Sequence, residues 1–214
     1  LTDWGGYWAD YIQTYLWTLY AYEQFGGQPT IWDLVHNVAN GMSGYLSTLT
    51  GQGYDVTMEG IFGEWSVANY LDDVTVPEGQ FGYAGDTLPP FAPFRTHNDY
   101  PESGSGSVQN LATDYIRLAN FGGTPIIDFN GDDGRDFRVF VMALDSGLPT
   151  LVQPLDLDGT QDGYLAFAEA NGYAEVIISI ANVTPSSTAS YTYDVDAIST
   201  LIFSDGFESG DATG

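Results

Sequence analysis

The chain has 214 residues, 43% of them apolar, which is enough for one large core or two small ones, and two domains are expected. Four arginines and no lysine stand against 29 acidic side chains, giving a formal charge of −25. That balance excludes nucleic acid as a partner, since phosphate-backbone affinity rests on cationic neutralisation. No run approaches the roughly 18 apolar residues that span a bilayer, and the absence of cysteine removes disulfides and thiolate metal sites.

The first element is written in Tyr7 to Gly27. Apolar residues recur at Tyr7, Trp8, Tyr11, Ile12, Tyr15, Leu16, Leu19 and Tyr22, at helical intervals of three and four. The spacing predicts one long helix whose aromatic stripe packs as core, ended by Gly26 and Gly27. Thr30 is the expected cap of a second helix, Ile31 to about Ala39, stopping at Gly41, with Asp33 near its positive end. Ser43 is the expected cap of a third, Gly44 to Leu49, with Gly51 and Gly53 beyond it. A fourth fits Met58 to Leu71 behind Thr57, with Ile61, Phe62, Trp65, Ala68 and Leu71 inward. Residues 1–73 thus read as a small helical subdomain.

Between Val74 and Val108 lie Pro77, Pro89, Pro90, Pro93 and Pro101 among many Gly and Ser, so 74–107 reads as a linker. Period-two and short apolar runs follow at Tyr115–Leu118, Ile126–Phe129, Phe137–Leu144, Leu151–Leu155, Tyr164–Ala168, Glu175–Ile180, Tyr191–Val195 and Leu201–Phe203. Turn residues separate them, which predicts an antiparallel β-sandwich over 108–203 and a small, acidic tail over 204–214. The fold class expected is therefore α+β, a helical subdomain followed by a sandwich.

Chemistry-bearing constellations are sparse. His36 and His97 are the two histidines, far apart in sequence, and each reads as structural or solvated. Glu64, beside Trp65, reads as a cap or salt link ahead of an acid catalyst. No Gly-x-Ser-x-Gly elbow and no phosphate loop occur, so no catalytic residue is assigned. Two oxygen-rich stretches remain, Asp128-Phe-Asn-Gly-Asp-Asp-Gly-Arg-Asp136 and Asp156-Leu-Asp-Gly-Thr-Gln-Asp-Gly163. Their Asp-Gly and Asn-Gly pairs are in the first place hairpin turns. Asp128, Asn130, Asp132, Asp156, Asp158 and Asp162 are nevertheless the candidate calcium ligands, although neither stretch matches the helix-loop-helix calcium signature.

Several segments together resemble a known family. These are Gly6-Tyr7, Leu19-Tyr-Ala-Tyr-Glu-Gln-Phe-Gly-Gly27, Ile31-Trp-Asp-Leu-Val35, Asn40-Gly-Met-Ser-Gly44 and Phe62-Gly-Glu-Trp-Ser-Val-Ala-Asn-Tyr-Leu71. As a set they resemble the helical half of secreted bacterial gluzincin-type metallopeptidases, hyicolysin-like and immune-inhibitor-A-like. Ser204-Asp-Gly-Phe-Glu-Ser-Gly-Asp211 is similar to a tail motif of secreted bacterial proteins. The resemblance implies a secreted protein in which a zinc helix with HExxH lies upstream and a β-sandwich follows.

The chain departs from that pattern in the residues that matter most. HExxH needs two histidines four apart on one helix face with a carboxylate between them, and this sequence has none. No zinc ligand can be carried over. With Leu1 first and no visible signal segment, the chain reads as a processed or truncated piece of something longer. Three functions follow as expectations: a non-catalytic extracellular accessory or self-associating module, a fragment of an active zinc endopeptidase, or a structural subunit of an extracellular filament or coat. Uncovered Trp4, Trp8 and Trp17 on the first helix would favour association, with a copy of the chain or with an upstream peptidase domain. A carbohydrate-binding sandwich would require aromatics alternating on a solvent-facing sheet.

Overall fold

The computed structural model of the protein describes residues 5–76, 80–185 and 187–198. Trp4, the expected strand Leu201–Phe203 and the acidic tail lie outside them. The fold is α+β: among the described residues four helices, α1 (Trp8–Gln24), α2 (Gln28–His36), α3 (Gly41–Gly51) and α4 (Met58–Leu71), precede nine strands. One sheet has the strand order β1-β3-β8-β5-β6 and the other β2-β9-β4-β7.

Sheet one consists of β1 (Arg95–His97), β3 (Ala112–Ala119), β8 (Glu175–Asn182), β5 (Phe137–Leu144) and β6 (Leu151–Leu155). Sheet two consists of β2 (Glu102–Val108), β9 (Ala189–Ile198), β4 (Thr124–Gly131) and β7 (Asp162–Ala166). All pairs are antiparallel apart from β1 with β3, which run parallel through Arg95↔Ile116 and His97↔Leu118. The faces turned toward each other bury Ile116, Leu118, Ile127, Phe129, Phe137, Val139, Val141, Val176, Ile178 and Ile180 as one core. Alternation along β9, buried at Tyr191, Tyr193 and Val195 and exposed at Thr192, Asp194 and Asp196, is what a sheet with one wet face requires.

The helices cover the far face of sheet one. α4 lies against β5 and β8, with Val67, Met142, Ile177 and Tyr115 buried between them. Ser66 Oγ meets Ser179 Oγ at 2.9 Å, and Tyr115 donates its hydroxyl to the Ser66 carbonyl at 2.6 Å. Thr57 caps α4 as expected, accepting from Gly60 N at 3.1 Å. The remaining helices close around Tyr20, Tyr45, Leu49, Ile61, Phe62 and Trp65.

Four expectations are corrected. Helix two begins at Gln28, two residues before Thr30, because Gly27 (φ 73) turns the chain and Pro29 fits the first turn of a helix. Thr30 therefore sits inside the helix, buried, with its hydroxyl on the Phe25 carbonyl and 2.6 Å from Gln52 Oε1. Helix three begins behind Asn40 rather than Ser43. The stretch read as a linker holds two strands, Arg95–His97 and Glu102–Val108, and the Gly-Ser composition of the second hides its role. Glycine is needed there because the rings of Tyr191 and Tyr193 fill the space a Cβ would take at Gly106 and Gly104.

The largest correction concerns α1. Its aromatic stripe is not core: Trp8 is 79% exposed, Tyr7 74%, Tyr11 55% and Tyr15 52%. The buried face is the opposite one, carried by Trp17, Tyr20 and Ala21.

Candidate functional site

At 100° per residue, Trp8, Tyr11, Ile12, Tyr15 and Tyr22 occupy roughly one quarter to one third of the circumference of α1, while Leu19 within that arc and Leu16 beside it are half-buried against the helical core. Trp17, Tyr20 and Ala21 occupy the other side. Trp17 is fixed there by rings of three other residues, Tyr45 and Trp65 at 5.2 Å and Phe62 at 6.4 Å. One helix thus carries two apolar faces, of which the body of the protein covers one. A helix apolar on both sides is ordinarily buried on both.

The outward face continues beyond α1. Tyr22 borders a shallow apolar groove with Ile31, Trp32 and Val35 of α2. Val35 also lines a second groove, about 340 Å³, with Trp17, Thr18, Ala21 and Leu34. Trp32 is 63% exposed and Val35 75%. His36 stacks on Trp32 with ring centroids 4.0 Å apart, and its Nδ1 lies 2.8 Å from the Trp32 carbonyl oxygen. It stiffens that indole and is far from any second histidine in the fold's element order. Charged groups are few on this face. Asp10 is spent on the start of its own helix, accepting from Tyr7 N at 2.9 Å. Glu23 is turned to the loop at Ala84 and Gly85, and Asp86 accepts from the Tyr15 hydroxyl at 3.1 Å.

A second constellation, absent from the sequence reading, lies at the edge of the sandwich beneath β2. His97 is 8% exposed, with Nε2 2.8 Å from Tyr193 Oη and Glu102 4.0 Å from Nδ1. Tyr191 donates its hydroxyl to Asp114 at 2.8 Å, and Arg95 lies close to Tyr193. Burial lowers the pKa of His97, Glu102 acts against that, and Arg95 adds to it. Burial raises Asp114, while the Tyr191 hydroxyl and Arg95 act against the shift. Only the alternation around Tyr191 and Tyr193 opposite a Gly-x-Gly strand could have signalled this pairing from sequence.

A pH dependence follows from His97. Its folded pKa is below the ordinary value of 6.5, so the unfolded chain binds the proton first. Stability is full above pH 6.5 and is lost as pH falls through the folded value. Asp114 acts in the opposite sense, but nearer the carboxylate range. Urea midpoints should therefore fall between pH 7 and pH 5 in the wild type and stay level for His97→Gln across that window; equal slopes in both proteins would refute the assignment to His97.

The six candidate calcium ligands are scattered over one corner of sheet two. Asn130 donates to Asp162 across β4 and β7, and Asp162 N donates to Asp158 Oδ1 at 3.1 Å. Asp158 also accepts from Thr160 N at 2.8 Å and the Thr160 hydroxyl at 2.7 Å. Asp132 accepts from Ser190 N at 2.8 Å and borders a polar groove with Asn130. Asp128 instead faces Asp194 across β4 and β9, and Asp156 stands exposed just past β6. These contacts hold turns and strand ends. Among the described residues no group of three or more His, Cys, Asp or Glu side chains could hold a metal ion. Glu64 is half-buried on α4 near Tyr20, whose hydroxyl is pushed far above the phenol range by burial first and by that carboxylate second.

The exposed face of sheet two presents Ser103, Ser105, Thr192, Asp194, Asp128 and Asn130, with Tyr164 as its large exposed aromatic. An alternating aromatic row, as a sugar platform would need, is not built by these residues.

No family model matches the chain, and no curated protein matches it. Solved structures share part of its outline. The pre-peptidase C-terminal domain of a collagenase from Bacillus anthracis superposes with a TM-score of 0.38 at 13% identity, covering 51% of this chain and 100% of that one. The Yersinia pseudotuberculosis-derived mitogen gives 0.33 at 16% identity, covering 49% and 92% respectively. PliG of Salmonella Typhimurium, a periplasmic inhibitor of g-type lysozyme, gives 0.31 at 10%, covering 48% and 94%. Likeness at this level carries no argument about what the chain does. No helix among the described residues is long and apolar enough to cross a membrane.

Proposed function

We propose that the chain is a non-catalytic, extracellular module of a secreted metallopeptidase-like protein, and that it works by docking through the outward face of α1 and the adjoining face of α2. The observation that carries this reading is the second apolar face of α1, led by Trp8 at 79% exposure. The exposed parts of Tyr7, Trp8, Tyr11, Tyr15, Tyr22 and Trp32 amount to roughly 800 Å² if each ring offers about 150–250 Å². Isolated monomers rarely expose contiguous apolar patches beyond about 300–600 Å². The secreted setting is supported by the resemblance of the helical segments and by a charge of −25 without lysine.

Oxidative footprinting tests the docking reading whatever occupies the face. In the protein as its source makes it, Trp8 and Trp32 should be protected several-fold relative to the dilute, isolated 214-residue chain. Equal oxidation of both indoles in the two preparations would overturn it. Zinc-dependent peptide hydrolysis by the isolated chain would overturn the non-catalytic part.

A further inference from the structure

We propose that the outward face of α1 pairs with the same face of a second copy of this chain, antiparallel, about a two-fold axis passing near Tyr15. This rests on the docking reading and names the occupant.

Three observations on the surface select a copy of the chain over a partner of other chemistry. The first is charge. With 29 acidic and four basic side chains, this protein would advertise a contact with a basic partner by carboxylates pointing into it. The stripe from Trp8 to Tyr22 instead contains rings and aliphatic side chains, and Asp10 is turned to the helix start. Apart from Asp86, which accepts from the Tyr15 hydroxyl, the patch carries no charge, so two chains of −25 each can approach there with least repulsion. The second is area. With Tyr7 and with Trp32 of α2 included, the roughly 800 Å² of exposed ring surface equals one side of a standard interface, about 800 Å² per partner, so a self-complementary patch that takes in both helices suffices without further contacts.

The third is the spacing. Trp8, Tyr15 and Tyr22 recur every seven residues, with Tyr11 and Ile12 between them and Leu19 already half-buried against the helical core, which is the seam of a helix that packs lengthwise against another helix. The seam is about 21 Å long. Direction follows from the two ends. Glu23 flanks the C-terminal end of the seam, Asp86 borders its middle at Tyr15, and none of the described side chains at its N-terminal end is acidic apart from Asp10. A parallel pair would set both copies' Glu23 at the same end of the seam. An antiparallel pair sets each Glu23 toward the positive end of the other helix. In that arrangement Trp8 of each copy covers Tyr22 of the other, and Tyr15 meets its own counterpart.

Sedimentation of the isolated chain, together with single-cysteine crosslinking, tests this. The chain has no cysteine of its own, so an introduced thiol reports one contact. A dimer is expected at micromolar concentration, tightening as salt screens the acidic bodies. Tyr15→Cys should crosslink to itself under mild oxidation, and Trp8→Cys should not. Ile12→Glu should raise the dimer dissociation constant at least a hundredfold, whereas Tyr164→Ser, on the far sheet, should leave it unchanged. Far-UV spectra of Ile12→Glu should match the wild type, and so should melting at concentrations where both are monomeric, because the side chain is exposed in the monomer. A chain that stays monomeric at 100 μM overturns the proposal. If Trp8 and Trp32 are nonetheless protected in the source material, docking stands and another polypeptide is the occupant. Self-crosslinking at Trp8→Cys without crosslinking at Tyr15→Cys overturns the antiparallel arrangement.

Discussion

Gly104→Val is expected to destabilise the protein by on the order of 3 kcal/mol, although valine favours strands and glycine does not. Strand preference alone would predict a gain of up to about 1 kcal/mol at an edge position. The difference lies in what faces β2. A Cβ at Gly104 would stand 2.3 Å from Tyr193 Oη and Cζ and 2.6 Å from Arg95 Nη1. The Tyr193 ring cannot swing aside, because it is 2% exposed, stacks on Tyr191 at 6.2 Å and meets His97 at 2.8 Å. A branched side chain must therefore push the edge strand off β9 or break the hydroxyl–imidazole contact with the site still buried. Urea unfolding measures the cost. The same variant should also flatten the pH 7 to pH 5 slope assigned to His97, since the imidazole gains solvent. A midpoint at or above the wild type would show that β2 does not sit on those rings.

That prediction marks where the sequence was legible. Strands whose apolar side chains pack on one another were readable with near-correct ends, such as Phe137–Leu144 and Leu151–Leu155, and the Thr57 cap placed α4 to the residue. Glu102–Val108 was unreadable because its contribution is the absence of side chains, a quantity fixed by Tyr191 and Tyr193 almost ninety positions on. The α+β order and the helix count were legible from punctuation by Gly, Pro and Thr. What failed for α1 was the inference from periodicity to burial. Periodicity reports that a helix has a face; it does not report which body covers it. The second face, Trp17, Tyr20 and Ala21, is visible in the same seventeen residues, and two faces on one helix already imply two neighbours. Of the oxygen-rich stretches, 132–136 and 156–161 lie between strands, whereas 128–131 belongs to β4 and 162–163 to β7. That Asn130 of one meets Asp162 of the other depends on β4 pairing with β7, which no local pattern states.

Gly63→Leu is expected to cost a similar amount, on the order of 3 kcal/mol, and to do so by parting the helices from the sandwich. Gly63 is buried where α4 crosses β5, and a Cβ there already meets Arg138 Cβ and Phe140 Cε2 at 3.0 Å. Alanine fits after a small shift, and its better helix propensity, about 1 kcal/mol, offsets the tightness. Leucine's further three carbons have no space, so α4 must rise from the sheet. That separates Ser66 from Ser179, which is 0% exposed and would be left with a buried hydroxyl lacking its partner. It also opens the layer of Val67, Met142 and Ile177. Tryptophan fluorescence should report the loss first, because Trp17 and Trp65 both sit in the helical half, at 5.2 Å from each other. Their transition should move to lower urea ahead of the sheet signal, with Gly63→Ala close to wild type. The consequence reaches the docking face, since Trp17 is what anchors α1 to α4 and so aims Trp8, Tyr15 and Tyr22 outward. Dimer formation should weaken in Gly63→Leu without any change to the seam itself, and a variant that kept both its tryptophan midpoint and its association would disprove the coupling.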